Sequence, residues 1–182
     1  MEIREVRPDE HGALGELTVD AYAGVHPADD LADYATELRD VASRAAADVV
    51  LVAVDGDKLL GGVTYVAGPG SPSAEFSDDD AAGIRMLAVA PGAQRRGIGE
   101  ALTRACIDRA RASGRAQIVL HSTDGMTAAH RLYERLGFRR DPTMDWVVDP
   151  DLWLRGFRLR LDGAGSHPPG ARPSWCPAGL PE

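Results

Sequence analysis

The stretch Ile-Arg-Met-Leu-Ala-Val-Ala-Pro-Gly-Ala-Gln-Arg-Arg-Gly-Ile-Gly, residues 84–99, runs from an apolar strand through a basic turn into the start of a helix, and the rest of the chain is organised around it. The first N–H groups of a helix have no partner within it, and the helix dipole adds partial positive charge at the same end, so a helix start is a ready anion site. Gly97 and Gly99 lack a Cβ, which lets a phosphate approach the backbone and lets the turn take angles that other residues resist. Arg95 and Arg96 bring fixed positive charge, and a guanidinium grips phosphate oxygens through two parallel hydrogen bonds. Gly-x-Gly alone favours an ordinary surface turn; the strand before it and the helix after it shift the balance to a phosphate cradle.

The composition is that of one soluble globular domain: 182 residues, 44% hydrophobic and 26% charged. No apolar run approaches membrane-span length, and the N-terminal Met1-Glu2-Ile3-Arg4-Glu5-Val6-Arg7 alternates charged and apolar residues rather than presenting a signal-peptide core. The expectation is therefore a cytoplasmic protein with no membrane partner. A net charge of −8 argues against sequence-independent binding of nucleic acid and suits a cationic substrate better. Cys106 and Cys176 have neither metal-type nor disulfide-type spacing and read as free thiols, so no metal is expected.

Taken in order, residues 2–7 read as a first strand and Pro8-Asp9 as the opening of a helix carrying Leu14, Leu17, Ala21 and Tyr22. A second helix is predicted from about Asp30 to Ala46, with Leu31, Tyr34, Leu38, Val41, Ala42 and Ala45 on one face. Val49 to Val54 and Lys58 to Val66, joined through Asp55-Gly56, form the strongest hairpin signal in the chain. Residues 67–83 read as a long loop with an acidic run at Asp78, Asp79 and Asp80, and loops of that length are functional or mobile. Strand, helix and strand then follow one another through Gly83 to Ala90, the helix from Ile98 to Gly114, and Gln117 to His121, at the length of a parallel crossover. A last helix spans Met126 to Leu136, and Phe138 to Val148 with Leu154 to Leu161 reads as a closing antiparallel pair made irregular by Pro142. From Asp162 the chain turns rich in proline and glycine. Residues 1–161 are thus expected to form the domain, and 162–182 a flexible C-terminal tail.

Two separated motifs coincide in this order. Leu87-Ala88-Val89-Ala90-Pro91 followed by Gln94-Arg95-Arg96-Gly97-Ile98-Gly99 resembles the acetyl-CoA signature of the GNAT N-acetyltransferase superfamily. Ala129-His130-Arg131-Leu132-Tyr133-Glu134-Arg135-Leu136-Gly137-Phe138 resembles the second signature of the same family, and the likeness extends over roughly residues 2–161. The resemblance implies an α/β (α+β) fold, with a mixed, strongly twisted sheet of about seven strands flanked by about four helices and with the fourth and fifth strands splayed apart. It also implies acetyl-CoA as co-substrate. Leu87, Ala88 and Val89 would then present backbone groups to the acetyl and pantetheine units, and Gln94, Arg95, Arg96, Gly97, Ile98, Gly99 and Glu100 would surround the pyrophosphate. A strand backbone suits the first task, because an N–H aimed at a thioester carbonyl stabilises the oxyanion that forms on attack.

Tyr133 stands at the family's general-acid position, and a phenol of ordinary pKa about 10 keeps its proton at neutrality for a departing thiolate. By spacing alone Tyr133 is also one of the apolar-face residues beside Leu132 and Leu136. His121 falls where some members place a catalytic glutamate, and an imidazole suits proton transfer near neutrality; the alternative is a half-buried histidine held by a backbone hydrogen bond. Glu75 precedes the fourth strand, where other members supply an acid, whereas Asp78 to Asp80 read as a solvated loop. Met126 stands where several members carry a cofactor-contacting asparagine, which removes one expected hydrogen bond.

The reaction expected is direct attack of a primary amine on acetyl-CoA, with no metal and no covalent enzyme intermediate, because Cys106 lies on the interior face of a helix without a histidine at local spacing. A non-catalytic acyl-CoA sensor and an enzyme for a longer acyl group stand as alternatives. The acceptor, a small-molecule amine or a peptide or protein amine, is left open by a wall drawn from residues 24–40, 67–83 and 140–153. Trp146 and Trp153 there read either as an aromatic surface for a cationic acceptor or as a homodimer contact.

Overall fold

The computed structural model describes residues 1–24, 28–149 and 152–161, for 28–33 and 149 the backbone alone. The expected tail at 162–182, Cys176 within it, and Pro27 lie outside the described residues. Strand β1 (Glu2–Glu5) leads through a short 3-10 turn at Pro8–Glu10 into helix α1 (His11–Ala23). The single helix expected from Asp30 to Ala46 is two, α2 (Ala28–Arg39) and α3 (Val41–Ala47). The break falls at Asp40, whose carboxylate accepts the Ser43 N–H at 3.0 Å as the N-cap of α3. An aspartate competes with the helix for its own neighbouring amides, and an apolar periodicity does not register that competition. Arg44 seals the join by donating to the Glu37 and Leu38 carbonyls at 2.6 and 3.1 Å.

The predicted hairpin forms as β2 (Val49–Asp55) and β3 (Lys58–Val66), with Gly56 at φ 59° in its turn. Alternation along β2 splits the core between the two faces of the sheet. Val50, Val52 and Val54 join Leu14 and Val41 under α1 and α3, whereas Leu51 and Ala53 join Leu102, Cys106, Ile107 and Tyr133 on the side of the later helices. Strand β4 (Ala81–Val89), helix α4 (Ile98–Ala112) and strand β5 (Gln117–Thr123) form the expected parallel crossover. After α5 (Thr127–Arg135) come β6 (Arg139–Arg140), a 3-10 turn at Pro142–Met144, β7 (Trp146–Asp149) and β8 (Leu152–Arg160).

Among the described residues the fold is thus a mixed eight-stranded sheet with five α-helices, one strand and one helix more than expected. The extra helix comes from the break at Asp40, and the extra strand from the turn at Pro142, which divides the segment after α5 into β6 and β7. Strand order is β1-β2-β3-β4-β5-β8-β6, with β7 also on β8, so the last strand inserts between β5 and β6.

Two irregularities open the sheet. Strands β4 and β5 pair only over Ala81–Ile84 and Gln117–Leu120 and part from Arg85 and His121 onward. Met86, at φ 52°, bulges out of the β3–β4 ladder where the register shifts between Gly62 and Thr64. The loop before β4, expected to be functional or mobile, is anchored: Phe76 is buried against Gly83 with Val66, Ala81 and Val119, in a space that a Cβ on Gly83 would fill at 2.5 Å. Asp78 and Asp80, read as solvated, bind Gln117, and Asp78 also pairs with Arg158 at 2.9 Å.

Candidate active site

The mouth of the β4/β5 gap is the start of α4. Ala101 N–H donates to the Gly97 carbonyl at 3.0 Å, which leaves the amides of Gly97, Ile98, Gly99 and Glu100 free of protein acceptors among the described residues; no side chain caps them. Gly97 sits at φ 78° and Arg95 at φ 61°, so the turn curls left-handed twice and gathers its amides into a concave nest. The two glycines differ in purpose. A Cβ on Gly97 would meet open space, so its requirement is the backbone angle, whereas Gly99 packs against Leu132 and Val89. Gln94, Arg95 and Arg96 are exposed, and neither arginine has an ion-pair partner among the described residues. The Glu100 carboxylate is drawn sideways to Arg104 at 2.9 Å and Arg135 at 4.0 Å, so its amide is the part that faces the nest.

One wall of the gap is the unpaired half of β4. Ala90 N–H donates to the Leu60 carbonyl at 2.9 Å, so by the two-residue alternation Ala88 faces β3 and the backbone groups of Leu87 and Val89 face the gap. Tyr133 comes from α5, 5% exposed, with its ring 5.7 Å from Phe138 and 5.9 Å from Phe157. Its hydroxyl makes no hydrogen bond among the described residues, and burial, aided by Cys106, pushes its pKa above the ordinary phenol value. Cys106 is a buried thiol pushed up to about 12 by the same desolvation, a poor nucleophile.

At the inner end of the gap, residues from separate elements converge on Glu75. Its Oε2 lies 3.2 Å from His121 Nδ1 and its Oε1 3.0 Å from an Arg85 nitrogen. His121 Nε2 lies 2.9 Å from the Met144 carbonyl oxygen, which can only accept. That nitrogen therefore carries a proton, and Nδ1 is the ring atom turned to the carboxylate. Burial works to raise the Glu75 pKa but is outweighed by the His121 hydrogen bond and the Arg85 charge, so the carboxyl lies below its ordinary value.

Trp146 stands edge-on to His121 at 6.3 Å, while Trp153 is exposed with Arg155 over its ring. Tyr22 and Tyr34, with ring centroids 6.2 Å apart, close the site from α1 and α2. Burial pushes the Tyr22 phenol well above its ordinary value, with Tyr34, Tyr133 and Glu75 adding to the effect. Arg85, Tyr22 and Tyr34 were not singled out by sequence reasoning as site residues; the one signal for Arg85 was a charge inside an otherwise apolar strand. Met126 begins α5 without a side-chain cap and offers none of an asparagine's hydrogen bonds. Among the described residues no group of three or more His, Cys, Asp or Glu is arranged for a metal, and no helix is long and apolar enough to cross a membrane.

A half-open parallel strand pair with an amide nest at its mouth is an architecture for holding a phosphate-bearing carrier against a reacting group. A family model described as the acetyltransferase (GNAT) family matches residues 12–138, and the chain belongs to that family. A mycothiol acetyltransferase of Geodermatophilus obscurus is 39% identical over 90 residues, which are 49% of this chain and 28% of that protein. The match thus spans less than a third of that relative's length. A ribosomal-protein-alanine N-acetyltransferase from Brucella melitensis shares the fold at TM-score 0.65 and 23% identity, over 88% of this chain and 100% of that one. A GNAT family acetyltransferase from Brucella melitensis, solved in complex with acetyl-CoA, does so at TM-score 0.62 and 22% identity, over 93% and 92%.

Proposed function

We propose that this protein is an N-acetyltransferase that moves an acetyl group from acetyl-CoA to a primary amine by direct attack. The observation that carries the reading is the Glu75–His121–Arg85 cluster at the inner end of a gap whose mouth is an unpartnered amide nest. Acetyl-CoA supplies the activated acetyl group and a thiolate as leaving group. The amides from Gly97 to Glu100, with Arg95 and Arg96, would hold its pyrophosphate, and the gap-facing backbone of Leu87 and Val89 its acyl and pantetheine part.

In this reading Glu75 takes the proton that the amine nitrogen loses as its bond to the acetyl carbon forms, and Tyr133 gives its own proton to the departing sulfur. His121 is assigned a positioning role: its Nε2 is held by the Met144 carbonyl, which turns Nδ1 onto the Glu75 carboxylate. Tyr133 remains protonated at every physiological pH, since burial raises its pKa further.

The test is thiol release from acetyl-CoA across a library of amines and short peptides. Amine-dependent release is expected from the wild type, slowed roughly 100- to 1,000-fold in Glu75→Gln, within the range of a lost general base. Silence with every amine would sink the reading in favour of a sensor. Faster release from propionyl- or succinyl-CoA than from acetyl-CoA would reassign the donor.

A further inference from the structure

Between β6 and β7 the chain steps off β8 and back. Arg139 and Arg140 pair with Arg158 and Phe157, and Trp146 pairs with Leu154, which leaves Arg155 and Gly156 of β8 opposite the 3-10 turn instead of a strand. Asp145 fills that place. Its Oδ1 accepts the Gly156 N–H at 2.9 Å, a hydrogen bond that a strand carbonyl would otherwise take. Its Oδ2 meets Arg140, with an Arg155 nitrogen at 3.6 Å. Those two guanidinium groups, one of them shared with Asp124, balance the Asp145 charge, so what the carboxylate supplies is placement.

The peptide that joins Met144 to Asp145 points two ways. Its N–H donates back to the Pro142 carbonyl at 3.2 Å, and its carbonyl oxygen, trans to that N–H, lies 2.9 Å from His121 Nε2. The bond made at one ring nitrogen of a histidine decides the state and direction of the other. Here the other is Nδ1, 3.2 Å from Glu75 Oε2, while Arg85, itself in contact with Tyr34 and Glu37 of α2, holds Oε1 of the same carboxylate. We propose that Asp145 is a positioning residue of the active site: by clamping the Pro142–Met144 turn onto Gly156 it aims the Met144 carbonyl at His121, and His121 at Glu75. The inference rests on the acetyltransferase reading, in which Glu75 receives the amine proton. Asp145 acts through His121 and not on the reactants.

The experiment compares Asp145→Ala, Asp145→Asn and His121→Ala with the wild type in the thiol-release assay, with thermal melts to establish that each is folded. Asp145→Ala should lower kcat roughly 10- to 100-fold, as a displaced reacting group does, and leave the KM for acetyl-CoA unchanged. Asp145→Asn keeps an oxygen for the Gly156 N–H and should restore most of that rate. In the His121→Ala background Asp145→Ala should cost less than about twofold more, because the carbonyl it aims no longer has a target. Full activity of Asp145→Ala overturns the proposal, and so do losses from Asp145→Ala and His121→Ala that multiply. NMR of histidine-labelled protein reads the same geometry without turnover: wild-type His121 should carry a proton at Nε2, Asp145→Asn should preserve that form, and Asp145→Ala should lose it. A wild-type ring protonated only at Nδ1 overturns the proposal even where Asp145→Ala does not fold. No amine-dependent release from the wild type is the failure of the acetyltransferase reading instead, and the change of His121 tautomer then decides whether Asp145 sets that ring.

Discussion

His121 Nε2 lies 2.9 Å from the carbonyl oxygen of Met144. The contact exists because Gly156, opposite His121 in the β5–β8 register, lets the 3-10 turn at Pro142–Met144 settle onto β8. A Cβ on Gly156 would stand 2.4 Å from Met144 Cβ and 3.0 Å from the Asp141 carbonyl. Gly156→Ala should therefore destabilise the fold by about 1–3 kcal/mol, as overpacking does. By moving the Met144 carbonyl it should also displace the acid limb of the kcat/KM profile. Denaturant midpoints and pH–rate curves check the two effects separately. The sign follows from Glu75, whose pKa is lowered in the fold: activity and stability that depend on its carboxylate are present above the ordinary value and are lost as pH falls through the lowered one.

Tyr133→Phe separates chemistry from packing. The ring stacks near Phe138 and Phe157 and is retained in phenylalanine, and the hydroxyl has no partner among the described residues. Stability should thus change by less than about 1 kcal/mol while kcat falls about 100-fold and CoA binding persists. Calorimetry with CoA and a thermal melt read the two retained properties.

Gly97 tests the cradle. Its φ of 78° is strained for any side chain, yet a Cβ would collide with nothing within 4 Å. Gly97→Ala should cost about 1–2 kcal/mol of stability through backbone angle alone, and weaken CoA binding as the nest relaxes. Arg95→Gln with Arg96→Gln should raise the KM for acetyl-CoA and flatten its dependence on salt, with no loss of stability, since neither arginine has an ion-pair partner among the described residues.

Glu10 tests an element far from the site. Arg4 donates to both of its oxygens at 2.8 and 2.6 Å, and the Arg7 amide adds a third bond at 2.8 Å, tying β1 to the turn before α1. Its carboxyl is lowered to about 2, first by the Arg4 hydrogen bond and then by the Arg7 amide. That contribution is fully present above the ordinary value of 4.5 and is lost as pH falls through about 2. Glu10→Gln should lower stability by up to about 1 kcal/mol at neutral pH and by distinctly less at pH 2, as seen in urea melts at the two pH values.

The sequence by itself determined the local features. The hairpin around Gly56, the parallel β4–α4–β5 crossover and the amide nest at Gly97 are all built from neighbouring residues, whose turn chemistry, alternation and helix-start pattern act over a few positions. Tertiary structure decided what depended on distant partners. The closing segment was legible as antiparallel, but only the completed sheet placed β8 between β5 and β6. The helix break at Asp40 turned on one side chain competing for amides, against an apolar periodicity that runs through it unchanged. The site followed the same division: Glu75 and His121 could be named separately, but their meeting with Arg85, Tyr22 and Tyr34 depends on Phe76 seating the loop on Gly83 and on strands β4 and β5 parting after Ile84 and Leu120. Hydrogen bonds between groups far apart in the chain are set by register and packing, and those are properties of the assembled sheet.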